Sequence, residues 1–295
     1  VIHAVPRCLD CVFNQAYRIT EILKMKEKDA WEFLLQSMKA MSNVSSQTSP
    51  LHLTRVMYDV LEDRGYSDPF KDHKAYSIEL AKTFLVELKH RVENADDPLF
   101  EALHISAAGN AIDFGQRDAS PEKIRERLTT VLNQRFRAPA YPEFLQRLEK
   151  GRVVLFVGDN AGESVIDTIS LCQLKEMGCD VYYAVRHVPI INDVTYQDAV
   201  ASGVQECAKI LDSGSVYPGV ILEESSEEFR KIFQKASVVI SKGQGNLEGL
   251  YETSEKVFFL LTPKCPHVAQ VLGVPELIPV LSNVRIAKKG APTDV

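Results

Sequence analysis

A chain of 295 residues with 45% hydrophobic and 25% charged side chains has the make-up of an ordinary globular protein and the length for two domains. Its net charge of −6 offers no basic footprint for nucleic acid. No apolar run approaches the roughly 18 residues that would favour a membrane span, and no basic-then-apolar leader opens the chain, so a cytoplasmic location is expected.

The first half reads as helix after helix. From Cys8 to about Lys24, Cys11, Val12, Ala16, Ile19 and Leu23 recur at helical spacing. Asp29 can cap a second helix built on Trp31, Phe33, Leu34 and Met38. Ser49-Pro50 is a start signal and Gly65 a stop. One long pattern, about Lys71 to Val92, places Ile78, Ala81, Leu85, Leu88 and Val92 on a single stripe. Asp97-Pro98 and Ser120-Pro121 open two more helices. Residues 1–140 are therefore expected to be all-α. Cys8 and Cys11 make a lone C-x-x-C, and Cys172, Cys179, Cys207 and Cys265 are scattered, so no disulfide framework is expected. A structural zinc site wants four ligands, usually from two such pairs; the pair is expected to be reduced and free of zinc.

Ala138 to Pro142 looks like a join, after which the pattern changes. Strands are predicted at Val153–Val157, Val181–Val185, Val220–Leu222, Val238–Ser241, Val257–Leu261 and Leu277–Val280. Helical patterns lie between most of them, at Glu163–Lys175, Tyr196–Ser202, Val204–Leu211, Ser226–Lys235, Leu247–Ser254 and His267–Leu272. Ser225 with Glu228, and Thr195 with Asp198, have capping-box spacing. Alternation of this kind implies an α/β unit over residues 150–295, with a mostly parallel sheet covered on both faces.

Three of the segments that follow strands are rich in polar residues: Asp159-Asn160, Asn192-Asp193 and the run SKGQGN from Ser241 to Asn246. Parallel strands end on one side of a sheet, so the three can converge in one crevice. Asp159, Asn160 and Asp193 would then offer hard oxygen ligands to Mg²⁺ or Mn²⁺. Lys242 would supply a point charge to a phosphoryl group, while Gly243 and Gly245 let backbone N–H groups approach an anion. Singly, each element has a plainer reading: Asp159 and Asp193 as helix caps, SKGQGN as a glycine-rich turn. Neither the P-loop spacing nor G-x-G-x-x-G is present. A methyltransferase with an adenosyl cofactor at Gly158–Glu163, and a non-catalytic sugar-phosphate binding module, are the alternatives from other classes.

The set formed by C-x-x-C at Cys8–Cys11, AAGNAIDFG at Ala107–Gly115, GDNAGE at Gly158–Glu163, PIINDVT at Pro189–Thr195 and SKGQGNLE at Ser241–Glu248 resembles the damage-control phosphatase family. That family was long catalogued as domain of unknown function number eighty-nine. The resemblance runs from about Cys8 to about Pro279 and is nearest to the compact prokaryotic branch with the N-terminal cysteine pair. It implies an all-α domain beside a Rossmann-like α/β domain with a divalent metal (Mn, Mg, Ni or Co) in the cleft between them. It also implies metal-dependent hydrolysis of small phosphorylated metabolites, especially reactive or damaged sugar phosphates. Residue by residue, Asp159, Asn160 and Asp193 match the metal ligands and Lys242 the phosphate-side lysine. Asn110 and Asp113 match a motif that closes the cleft from the helical side; Gly243, Gly245 and Asn246 are counted with the substrate. A metal-activated water is the expected nucleophile, with a phosphorylated Asp159 as the other possibility; Glu163 is not assigned.

Overall fold

The computed structural model describes residues 1–45, 47–110 and 121–289. The run VVLFV forms β1 (Val153–Val157), flanked by β2 (Asp180–Val185) and β4 (Val238–Lys242), with β3 (Lys209–Asp212), β5 (Val257–Leu261) and β6 (Val280–Asn283) outside them. The sheet order is β3-β2-β1-β4-β5-β6. The first five strands are parallel; β6 runs antiparallel to β5, with Leu261 opposite Val280 and Phe258 opposite Asn283. The sheet is thus mixed and mostly parallel. Central strands buried on both faces need apolar residues at consecutive positions, which β1, β4 and β5 supply.

Two strand expectations need correction. Val220–Leu222 is not a strand; it leads into a single 3₁₀ turn at Leu222–Glu224. The strand in that region is instead β3, which overlaps the end of the stretch read as the helix Val204–Leu211. As a short edge strand it carries only one fully buried side chain, Leu211, so its four residues show too little alternation to read. Leu277, expected to open the last strand, has φ +63, and β6 begins only at Val280.

Helices α1 (Pro6–Ile22), α2 (Glu27–Ser42) and α3 (Pro50–Asp63) lie near their predicted places, and Ser49 caps α3 by accepting from the Leu51 N–H. The single long pattern breaks at Thr83-Phe84 into α4 (Lys71–Lys82) and α5 (Leu85–Glu93). Thr83 donates its hydroxyl to the Leu80 carbonyl there, and Phe84 turns into the core. Asp97 caps α6 (Pro98–Gly109), followed by α7 (Pro121–Leu132). The expected join, Ala138 to Pro142, runs into a helix, α8 (Tyr141–Lys150), with Pro142 in its first turn.

In the second half come α9 (Ala161–Glu176), α10 (Tyr196–Ala201, with the Thr195–Asp198 capping box), α11 (Glu227–Lys235), α12 (Gly243–Leu250), α13 (Pro266–Leu272) and α14 (Val284–Lys289). Ser226, not Ser225, caps α11, and α12 starts directly at the end of β4 rather than at Leu247. One face of the sheet packs Phe156, Ile240 and Phe258 against Leu103 and Phe144 from α6 and α8. The other packs Leu155, Val239 and Phe259 against Phe229, Leu247 and Leu272. Truncating a core phenylalanine such as Phe144 to alanine costs about 3–5 kcal/mol. Helices that precede the sheet in sequence therefore build part of its core.

Cys172 of α9 is disulfide-bonded to Cys207, a pairing the scattered spacing did not suggest. Among the described residues no helix is long and apolar enough to cross a membrane.

Candidate active site

From β1 the chain runs outward to β2 and β3 on one side, then crosses back to β4 on the other side of β1, and this reversal of strand order opens a crevice beyond the strands' carboxyl ends. Gly158 ends β1, its N–H donating to the Ala184 carbonyl at 3.0 Å. The segment after β2 then folds back over this end. Val194 N–H donates to the Asp159 carbonyl at 2.8 Å and Ala161 N–H to the Asn192 carbonyl at 2.9 Å, setting Asn160 opposite Asp193. Main-chain bonds thus bring the two acidic segments together before any side chain contributes.

Around them the polar side chains form one network. Asn110, which caps the end of α6, donates to Asp159 Oδ2 at 3.0 Å and to Glu163 Oε1 at 3.1 Å. Asn160 Nδ2 donates to Glu163 Oε1 at 2.6 Å and to Asp159 Oδ2 at 3.2 Å. Arg186 Nε donates to Asp193 Oδ2 at 2.7 Å, and its Nη2 stands 4.0 Å from Asp159 Oδ1. Among the described residues, both Arg186 terminal nitrogens are buried without a hydrogen-bond partner.

Lys242 lies elsewhere than the sequence suggests. Its ammonium is fully buried, donating to Asp167 at 2.7 Å and to the Ser106 carbonyl at 2.8 Å, and it stands 3.2 Å from Glu163 Oε2. The expectation that it points free into the crevice is corrected: α9 offers Glu163 and Asp167 one turn apart, and two carboxylates hold a buried ammonium more strongly than an open cleft would.

Burial raises the Asp159 carboxyl well above its ordinary value, and repulsion from Glu163 and Asp193 adds to it. Burial pushes Asp193 up to about 6, with Arg186 opposing the rise. At Lys242 burial works to lower the ammonium's value, but attraction to Asp167 and Glu163 outweighs it and the net direction is upward.

A cleft of about 580 Å³ is lined by Asn110, Asp159, Asn160, Asp193 and Gly245, with Lys264 and α1 on its walls. Of the other expected residues, Gly243 backs the site: its φ is +75 and an added Cβ would run into the Asp159 carboxylate. Asn246 is buried behind it, donating to the carbonyls of Gly158 and Lys242, and so clamps β1 to β4. Asp113 lies outside the described residues. The sequence reading missed Glu163, Asp167 and Arg186 as members of the network. Their signals were two acids one turn apart in the stretch Ala161–Leu174, which has no other charged residue, and an arginine directly after the strand run YYAV.

Among the described residues no three His, Cys, Asp or Glu side chains are grouped tightly enough to hold a metal ion. The candidate set depends instead on two carboxylates and an amide. Asn160 uses its Nδ2 for hydrogen bonding, which leaves Oδ1 for a cation beside Asp159 and Asp193. An all-oxygen set of this kind suits Mg²⁺ or Mn²⁺.

The chain matches known proteins over most of its length. The family described as "Damage-control phosphatase ARMT1-like domain" matches residues 4–277. A damage-control phosphatase of Pyrococcus horikoshii is 31% identical over 273 residues, covering 91% of this chain and 94% of its own. Another from Archaeoglobus fulgidus is 32% identical over 275 residues, covering 91% and 95%. The crystal structure of a DUF89 family protein from Pyrococcus horikoshii superimposes with a TM-score of 0.86 at 29% identity, covering 96% of this chain and 99% of that one.

Proposed function

The chain belongs to the damage-control phosphatase ARMT1-like domain family, and on that premise we propose that it is a divalent-metal-dependent phosphatase acting on small phosphorylated metabolites, sugar phosphates among them. One observation carries the reading. Four buried carboxylates, Asp159, Glu163, Asp167 and Asp193, face two buried cations, Arg186 and Lys242. Lys264 on the cleft wall also acts on Asp159, and Lys74 acts on Asp193 while bridging Asp68 and Asp198. Crowded buried carboxylates either hold a proton, the direction in which Asp159 and Asp193 are shifted, or take a cation, and a divalent ion would offset their charge.

In this reading Asp159, Asn160 and Asp193 would hold the ion, which would supply charge neutralisation for a phosphoryl group and a more acidic water. Arg186 fixes the Asp193 carboxylate and keeps positive charge behind Asp159. Lys242 acts one layer back, holding Glu163 so that Asn110 and Asn160 are oriented toward Asp159. Gly243 leaves room for that carboxylate, and Gly245 exposes main chain on the cleft wall. Asn110 belongs to the helical side; residues 1–140 close a cleft over the Rossmann-like, metal- and phosphate-binding residues 150–295, although α6 and α8 also pack on the sheet. With Asp159 as a ligand its carboxylate would be occupied by the ion, so water would be the nucleophile in this reading, with a phosphorylated Asp159 as the other possibility. A cytoplasmic setting, where such metabolites arise, goes with this reading. Nothing in the site favours an adenosyl cofactor, since Asp159 and Asn160 occupy the strand end where it would sit.

The test is hydrolysis of a panel of small sugar phosphates by purified protein, with Mn²⁺, Mg²⁺, Ni²⁺ or Co²⁺ and with chelator. Phosphate release that needs the metal and disappears in Asp159→Asn is expected. Release unaffected by exhaustive chelation would defeat the metal-dependent reading, and no release from any ester would leave only a binding role.

A further inference from the structure

The outer side of the α1–α2 pair is apolar. Leu9, Phe13 and Tyr17 recur every fourth residue on α1, and Trp31, Leu35 and Met38 recur at four and three on α2, so each set shares one face. Trp31 is 67% exposed, and Leu9, Tyr17, Leu35 and Met38 are each about half exposed. The core side of α2 is already supplied by Phe33 and Met41, so this second stripe is not what holds the helix to the protein. Single exposed apolar residues are common on any surface, but five on two adjacent helices form a patch. The patch has a knob and a hollow. The knob is the Trp31 indole. The hollow, of about 610 Å³, opens where the first turns of α1 meet the last turns of α2, and Leu9, Phe13, Met38 and Met41 line it. Leu35 lies between the two. Trp31 comes four residues before it and the middle of Met38–Met41 four to five after, so at a rise of 1.5 Å per residue they stand about 6–7 Å to either side.

We infer that this face joins two copies of the chain in an isologous dimer, α2 lying antiparallel to α2 of the second copy about Leu35, with each Trp31 indole seated in the other copy's hollow. Knob and hollow at equal distances from one residue are what a two-fold axis requires, since it carries each onto the other; a foreign partner imposes no such spacing. Charge agrees with the pairing. Glu32 and Lys39 are both exposed and lie two turns apart on one flank of the same face, three residues before Leu35 and four after it. The axis sets Glu32 of one copy across from Lys39 of the other. Area agrees as well. At the usual size of such side chains the five exposed residues present roughly 500 Å² of apolar surface, and the polar flank brings this toward the roughly 800 Å² per partner of a standard interface. On α1 it is Cys11, Gln15 and Arg18 that line the cleft, on a different side from Leu9, Phe13 and Tyr17, so pairing leaves the cleft open. The dimer therefore does not depend on the phosphatase reading.

Trp31 is the chain's one tryptophan, so its fluorescence reports on this face directly. The test is sedimentation equilibrium of the purified full chain, with emission spectra recorded along the same dilution series. Twice the mass of one chain is expected at high concentration. On dilution the mass should halve while Trp31 emission moves to the red, toward that of an indole in water, with the same midpoint. Leu35→Glu sets two carboxylates against each other at the axis and should weaken association about thirtyfold or more, with an unchanged urea midpoint for the monomer. Glu32→Lys should weaken association too, and adding Lys39→Glu should restore it, because the exchanged charges meet only across the two copies. A chain that stays monomeric at every concentration, whether Trp31 emits as exposed or as covered by something else, overturns the dimer. So does association that survives both Leu35→Glu and Trp31→Ala, or a double charge exchange that restores nothing.

Discussion

The Lys242 ammonium lies 2.7 Å from the Asp167 carboxylate, and both side chains are fully buried. The relationship binds the end of β4 to the middle of α9, the helix that carries Glu163 into the site. A residue that the sequence places in the substrate crevice thus holds the floor beneath it.

Lys242→Met should therefore unfold more easily as well as lose activity. Removing one partner leaves Asp167 and Glu163 buried without their cation, a change that costs about 3–5 kcal/mol. Urea denaturation gives the number directly. A variant with wild-type stability and no activity would instead place the ammonium in contact with substrate.

Asp159→Asn should separate stability from metal binding. Replacing a carboxylate crowded by Glu163 and Asp193 relieves repulsion, so the metal-free variant is expected to melt at or above the wild-type temperature. The wild type should gain about 2.7 kcal/mol when Mn²⁺ is a hundredfold above its dissociation constant, and the variant almost none. Thermal melts with and without Mn²⁺ check both; an undiminished metal shift would remove Asp159 from the ligand set.

Gly243→Ala should damage the site through the main chain. A side chain at φ +75 costs about 1–3 kcal/mol, and here the Cβ also displaces the Asp159 carboxylate. Weaker Mn²⁺ binding by calorimetry, alongside the stability loss, is the expected pair of results. Unchanged affinity would show that Asp159 can be displaced without consequence for the ion.

Cys207→Ser should lower stability under non-reducing conditions. Its bond to Cys172 closes a loop with a sequence separation of 35, for which chain entropy gives about 3–4 kcal/mol. A reductant should lower the wild-type melting temperature and leave that of the variant where it is; equal response of the two would mean the bond contributes nothing.

Much of this molecule is written locally. VVLFV and VFFLL are strands by composition alone, and Ser49-Pro50 and Asp97-Pro98 start helices because oxygen caps and proline act within one turn. Asp159, Asn160 and Asp193 were legible as a set because parallel strands must end on the same side, whatever lies between them. Other features depended on partners distant in the chain. The edge strand β3 is stabilised by its pairing with β2, not by its own four residues. The break at Thr83-Phe84 depends on Phe84 finding a core to enter. The direction of the Lys242 side chain was decided by Asp167 and Glu163, since a buried ammonium goes where carboxylates compensate its lost hydration. Sequence determined which groups the site has; only tertiary packing decided which of them face the cleft and which face each other, because pairing of buried charge is a property of neighbours in space.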